Sequence, residues 1–118
     1  MVIESVYSMD GNIGDLPKAR ELCNTYNMLL VVDEAHGLGT IGKTGRGLEE
    51  HYNMPGAVDV VCGTFSKSLA SVGGFISGKD DLIQYMEFFA QGNMFSAPCS
   101  AYHAGAAMKC LEKITEKP

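Results

Sequence analysis

Several things are scarce in this sequence, and each scarcity removes a class of function. No apolar run approaches the ~18 residues that a membrane span requires. The longest, Met28 to Val32, is interrupted at once by Asp33. Glu4 and Asp10 break the N-terminal stretch and no basic segment precedes them, so no secretory leader is expected there. Positive charge is short: 9 Lys and Arg stand against 14 Asp and Glu, a net charge of −5. Affinity for nucleic acid rests largely on basic side chains neutralising phosphates, so no nucleic-acid partner is expected. The cysteines, Cys23, Cys62, Cys99 and Cys110, include no C-x-x-C pair and fit no zinc array. They read as buried, reduced thiols, which suits a cytoplasmic protein. Internal repeats and low-complexity segments are absent.

What is present describes one folded unit. The 118 residues are 46% hydrophobic and 19% charged, enough for a domain with a core. Asp15 is placed to cap a helix with Pro17 in its first turn, and Leu16, Ala19, Leu22, Cys23 and Tyr26 recur at helical spacing over 16–27. Leu29 to Val32 reads as a strand buried on both faces, as in a parallel sheet, with Asp33 at its carboxyl end. A short helix is expected over Leu48 to Tyr52, a second buried strand over Asp59 to Gly63, and a third at "FISG". Asp80 and Asp81 favour the start of a helix whose face is Leu82, Met86 and Phe89 and which Gly92 stops. "NMFSAP" reads as a loop, and a last helix runs from Ser100 to Lys113 with Tyr102, Ala106, Leu111 and Ile114 aligned. Val2-Ile3 looks like the tail of a strand and "EKITEKP" like the close of a helix, so a piece of a larger domain is expected. The class is α/β with a mostly parallel sheet and flanking helices. In such sheets the chemistry lies beyond the carboxyl ends of the strands, where Asp33, His36, Thr64, Ser66 and Lys67 all fall.

Two short spellings compete for attention. Gly37 to Thr44 fit G-x-x-x-x-G-K-T, the phosphate-cradling pattern, and Asp33 to His36 spell DEAH. A working phosphate loop follows a strand directly and opens a helix, so that its amides converge on phosphate. Here Asp33 to His36 intervene, and Gly45 and Gly47 would weaken the first turn by ~1 kcal/mol each. The supposed magnesium acid also precedes the loop on the same strand. An ATPase is therefore a remote alternative. The five glycines over 37–47 mark a chain that turns tightly and passes close to something.

"GTFSKS", residues 63 to 68, is more informative. Lys67 follows a buried strand, Thr64 and Ser66 supply hydroxyls for a phosphate, and Asp33 ends another strand. A carboxylate there favours a protonated pyridine nitrogen. Gly73-Gly74 admit a bulky ligand close to the backbone. An amine, an acid and phosphate donors are what pyridoxal 5'-phosphate requires: the lysine for the Schiff base, the acid to make the ring an electron sink.

With those residues in place, the chain resembles the α-oxoamine synthases, pyridoxal-phosphate enzymes of fold type I. "SMDGNIGDL", "VVDEAHGLGTIGKTGRGLEEH", "VDVVCGTFSKSLASVGGFISG" and "FSAP" occur in that family's order, covering nearly all 118 residues. Within the family "GTFSKSLASVGGF" is most similar to the serine palmitoyltransferase group. The 2-amino-3-ketobutyrate CoA ligases, 5-aminolevulinate synthases and 8-amino-7-oxononanoate synthases stay open. The resemblance implies that Lys67 forms the Schiff base and moves protons at the substrate α-carbon. It implies that Asp33 pairs with the pyridine nitrogen and His36 with the ring's phenolic oxygen. Ser8 would lie near the same ring edge, Thr64 and Ser66 would contact the phosphate, and Ser96 would reach the phosphate of a neighbouring subunit's cofactor. Gly73 and Gly74 match the glycines after the lysine. Asp10 and Arg46 are expected to be structural, and His51 and His103 to be surface or packing residues.

The implied reaction is decarboxylative condensation of an amino acid, serine favoured, with an acyl-CoA to give an aminoketone, as in sphingolipid biosynthesis, by a cytoplasmic homodimer. "FSAPCSAYHAG" departs from the family around Pro98 and Cys99, which bears on Ser96 and on the substrate. The resemblance further implies that a histidine stacking on the ring and a glycine-rich phosphate loop belong before Met1. A small domain, with an arginine for the substrate carboxylate, belongs after Pro118. The segment alone is expected not to turn over, and a non-catalytic cofactor-binding or interaction fragment is the alternative.

Overall fold

The computed structural model describes residues 1–116, so the last two residues of "EKITEKP" lie outside the described residues. Four strands form one sheet in the order β1 (Val2–Glu4), β2 (Val31–Asp33), β3 (Val60–Thr64), β4 (Gly74–Gly78). The first three pair in parallel and β4 closes antiparallel on β3. The helices are α1 (Leu16–Thr25), α2 (Leu48–His51), α3 (Asp80–Phe89), α4 (Gln91–Phe95) and α5 (Ala101–Glu116). The α/β, mostly parallel class expected from the sequence is the one observed.

Local chemistry sets the element ends. Asp15 accepts a hydrogen bond from the Lys18 amide at 3.0 Å and Pro17 sits in the first turn, as expected. The helix stops at Thr25 rather than 27 because Asn27 takes a left-handed φ of 52°. The strand expected from Leu29 begins only at Val31, because the backbone before it bonds to side chains. Arg20 donates to the Met28 carbonyl, and the Leu30 amide donates to Asp59.

One face of the sheet carries the core. Leu16, Ala19 and Cys23 of α1 and Leu48 of α2 pack with Leu30 and Val32, with Ile3 beside them. Burial on both faces, expected from the apolar strands, is met only in part: Val60, paired with Val31 on the face opposite Val32, is 7% exposed. Register places Glu4, Asp33, Cys62 and Ile76 side by side on the opposite face. There Ile76 remains 47% exposed, because little packs over that edge of the sheet.

Four further expectations are corrected. Gly92 does not stop α3: the chain turns extended at Ala90 (ψ 111°), and Gly92 lies inside α4, so part of "NMFSAP" is helical. The inward stripe of α3 is Leu82, Ile83, Met86 and Ala90; Phe89 is exposed and stacks on Tyr85 at 4.7 Å. In α5 the inward residues are Ala104, Ala107, Cys110 and Ile114, and Tyr102 is 90% exposed. Small alanines let that helix lie close, which a search for large apolar residues overlooks. The cysteines are all free, but only Cys23 is buried, and Cys99 is exposed.

Asp59 ties the layers together. Its Oδ2 accepts from the Leu30 amide at 2.8 Å and from Arg20 of α1 at 2.9 Å. The Leu30 amide first, and then Arg20, hold its carboxyl below the usual carboxylate range. A depressed folded pKa contributes stability above the unfolded value and loses it as pH falls through the folded one. Asp59→Ala strands a backbone amide and a guanidinium, so it is expected to lower stability at pH 7 by roughly 2 kcal/mol in urea unfolding. The gap should narrow below about pH 4, where aspartate protonates in the unfolded chain. Equal unfolding midpoints at pH 7 would remove Asp59 as the tie.

Candidate active site

The carboxyl ends of β1, β2 and β3 lie on one side of the sheet because the three strands are parallel. Asp33 ends β2 and pairs in register with Cys62, two residues before Thr64. Its Oδ1 accepts from the Ala35 amide at 2.8 Å, which pins the carboxylate against its own turn. Oδ2 has no protein donor among the described residues. The Cys62 thiol beside it is pushed up, mainly by burial and secondarily by the Asp33 charge. A thiol in that state is neutral and a poor nucleophile, so Cys62 is packing.

Beyond β3 the chain makes a nine-residue excursion before returning as β4. It is closed at its neck by Phe65 N–H donating to the Gly73 carbonyl at 2.9 Å, and by Ser71 N–H donating to Phe65 at 2.7 Å. A Cβ at Gly74 would strike the Gly63 carbonyl, so only glycine permits this pairing. Thr64 Oγ1 lies 2.8 Å from Ser66 Oγ and donates to the Gly73 carbonyl at 3.1 Å. The two hydroxyls therefore stand together where the loop leaves the sheet. Lys67 follows, exposed, and among the described residues it makes no ion pair.

The glycine-rich segment packs against this loop. Gly39 has a φ of 78° and a Cβ there would meet Ser68, so the segment touches the residue after Lys67. From the other side Ser71 Oγ donates to the His103 carbonyl at 2.8 Å, and Cys99 donates to the Val72 carbonyl at 3.2 Å. The lysine loop is thus held between the glycine segment and the start of α5.

The remaining residues named from sequence are placed less tightly. His36 is half-buried in the turn after Asp33, and its imidazole has no hydrogen-bond partner among the described residues. Ser8 is exposed in the turn from Tyr7 to Asn12 beyond β1, where Asp10 accepts from the Asn12 amide at 3.2 Å and so is structural. Ser96 Oγ bonds to the Gly92 carbonyl and touches none of the others; only its loop, through Cys99, reaches the lysine segment. His51 and His103 are exposed, the latter 2.9 Å from Ser100 Oγ. Sequence reasoning passed over Ser5 and Glu34, both buried. The signal was there: strand alternation places Glu34 on the side of Val32, toward the core.

The phosphate-loop spelling resolves at Glu50. Its carboxylate accepts from the Thr44 amide at 2.9 Å, the Thr44 hydroxyl at 2.7 Å and the Arg46 amide at 3.1 Å. The chain's own acid occupies the donors that a phosphate would need, and α2 opens only at Leu48. What the other strand ends offer is different: a free amine, an acid with one open oxygen and a hydroxyl pair. That set suits a phosphorylated carbonyl compound with a basic ring nitrogen.

Comparison with known proteins agrees with the geometry. Residues 1–117 match the aminotransferase class I and II family. The chain is 41% identical over 118 residues to a serine palmitoyltransferase of Bacteroides thetaiotaomicron, and 39% identical over 116 residues to an 8-amino-7-oxononanoate synthase of Thermosipho melanesiensis. These alignments take in 100% and 98% of this chain, which spans 30% of the length of each relative. The solved serine palmitoyltransferase of Sphingomonas wittichii superposes with a TM-score of 0.87 at 34% identity, over 96% of this chain and 28% of that one.

Glu50 gives a direct check of the glycine segment. The Thr44 hydroxyl first, and then the Thr44 amide, hold its carboxyl below the ordinary range. Its contribution is present above the unfolded glutamate value of about 4.3 and lost as pH falls through the folded value. Glu50→Gln is expected to destabilise the chain at neutral pH, with wild type and variant converging in acid. Magnesium-ATP should leave the melting temperature of both unchanged. A rise in the wild type would restore the phosphate-loop reading.

Proposed function

The chain belongs to the aminotransferase class I and II family, in its α-oxoamine synthase group, and from that premise we propose that it is the large-domain core of a pyridoxal-phosphate-dependent C-acyltransferase. The reaction is decarboxylative condensation of an amino acid, serine favoured, with an acyl-CoA. The observation that carries this reading is the clustering of Asp33, Thr64, Ser66 and Lys67 at the carboxyl ends of two parallel neighbours, β2 and β3.

These residues fit pyridoxal phosphate on their own chemistry. The Lys67 amine is exposed and held by no carboxylate among the described residues, so it is available to the cofactor's aldehyde carbon. The Asp33 oxygen without a donor suits a ring N–H, and its charge keeps that nitrogen protonated. Thr64 and Ser66 present adjacent hydroxyls to a phosphate. When bound, the cofactor supplies an electron sink for the carbanion at the substrate α-carbon. The exposed Lys67 amine would hold the cofactor and would serve as the base that takes the substrate α-proton and returns one. His36 would donate toward the ring's phenolic oxygen, Ser8 would serve the same ring edge, and Ser96 would serve the cofactor of a partner copy in a homodimer.

Serine as the amino acid is supported by the likeness of "GTFSKSLASVGGF" to the serine palmitoyltransferase group and by the 41% identity to one member. The near-equal identity to an 8-amino-7-oxononanoate synthase keeps that chemistry as the second reading. No helix among the described residues is long and apolar enough to cross a membrane. A cytoplasmic location is part of the same proposal.

Borohydride reduction of the purified chain with pyridoxal phosphate, followed by peptide mapping, tests the site. The mark is expected on Lys67, with its near-visible absorbance lost in Lys67→Ala. Label scattered over surface lysines would refute the assignment. In the full-length protein, Asp33→Asn should keep the mark but slow deuterium exchange at the α-carbon of serine by on the order of 10²-fold. An unchanged exchange rate would take the ring-nitrogen role from Asp33.

A further inference from the structure

Glu34 is 5% exposed and is used by nothing in the proposed chemistry. Its surroundings are unusual. The amide donates to the Cys62 carbonyl of β3 at 2.8 Å, and its carbonyl accepts from Gly37 and Leu38 at 3.2 and 3.0 Å. Carboxylate Oε1 accepts from the Leu48 amide at 2.6 Å, at the start of α2. Gly37 and Gly47 leave no room for a Cβ against the carboxylate, so the chain wraps it from both sides. One residue therefore joins β3, the glycine segment and α2 directly behind Asp33.

Oε2 is the exception: it is buried and has no hydrogen-bond partner. Ser5, fully buried, lies beside it, since a Cβ at Gly37 would collide with both Glu34 Oε2 and Ser5 Oγ. Ser5 has a single hydroxyl proton, and it donates that proton to the Asp33 carbonyl at 3.0 Å. An ionised Glu34 would thus keep a buried oxygen without a donor, or draw the Ser5 hydroxyl away and leave the Asp33 carbonyl with the Ser5 amide alone, at 2.9 Å. A protonated Glu34 resolves both, because Oε2–H donates to Ser5 Oγ and the relay ends on Asp33.

We propose that Glu34 is the positioning residue for Asp33, acting through Ser5 in its protonated form. Burial pushes its carboxyl above the usual range; the Leu48 amide and the Ser5 hydroxyl oppose that rise without cancelling it, and the charged groups that face it add to it. Those are Glu49 of α2 and Asp33 of its own strand, both acids. The positioning role matters to catalysis only on the cofactor reading above; the protonation and the coupling to Asp33 do not depend on it.

The test uses the chain without cofactor. Infrared difference spectra between wild type and Glu34→Gln should show one neutral-acid carbonyl band, present only in wild type and persisting to a pH above the ordinary glutamate range. No such band would overturn the proposal. The Ala35 amide, which donates to Asp33 Oδ1, reports where that carboxylate sits. Its chemical shift should show a pH step above the ordinary glutamate range that vanishes in Glu34→Gln and survives in Glu49→Gln. A step that survives in Glu34→Gln would also overturn it. Glu34→Gln keeps a donor for Ser5 and an acceptor for Leu48, so exchange of the Ala35 amide should stay near wild type. In Glu34→Ala it should quicken by roughly tenfold or more, the size of one buried hydrogen bond lost. Should Glu34→Ala fail to fold, the band and the pH step, read on wild type and the isosteric variant, decide. Failure to label Lys67 would sink the cofactor reading and leave these results standing.

Discussion

Parallel strands end on the same side of a sheet, and that constraint governs what this chain can assemble. β1, β2 and β3 pair in parallel, so the segments that leave them emerge together. Asp33 stands across from Cys62, and the "TFSK" run follows two residues later. An antiparallel β3 would send Lys67 to the far side of the sheet from Asp33. The antiparallel return of β4 brings the chain straight back beside β3, so the lysine excursion is a closed loop anchored at both ends.

Holding polar groups at such an edge has a structural cost, and the chain meets it with hydrogen bonds rather than apolar packing. Asp33 takes a backbone amide, Thr64 and Ser66 take each other and Gly73, and Glu50 satisfies the glycine segment. The apolar core lies on the other face, under α1 and α2. The two duties are separated across the sheet: Val32 points into the core, and Asp33, one residue on, points to the site face. A register slip of one residue would exchange them, burying the acid and exposing the valine.

Much of this was legible in the sequence, for identifiable reasons. The apolar runs at Val31 and Val60 are short, β-branched and bounded by turn formers, so parallel strands and their carboxyl-end chemistry could be read from them. The Asp15 cap with Pro17 fixed the start of α1. The misreadings have a common cause: they concern contacts made by small groups or by the backbone. Ala104 and Ala107 turn α5 inward although Tyr102 and Leu111 carry more apolar surface. Gly92 looked like a stop, but Ala90 broke the helix first. Ser5 and Glu34 carry no motif; their importance arises from the burial of a single oxygen.

The competing spellings show why pattern and chemistry part company. G-x-x-x-x-G-K-T signifies phosphate binding only when the loop amides converge on empty space ahead of a helix. Here Thr44 and Arg46 donate to Glu50, six and four residues on, so the segment is a turn that folds around its own acid. DEAH, likewise, divides at its first two letters. Asp33 faces the open edge with an oxygen to spare, and Glu34 faces inward among Ser5, Gly37 and Leu48. Two adjacent acids with the same functional group are thereby given different environments by strand alternation alone. The half-buried Asp33 is suited to hold a charge against a ligand, and the buried Glu34 to hold it in place.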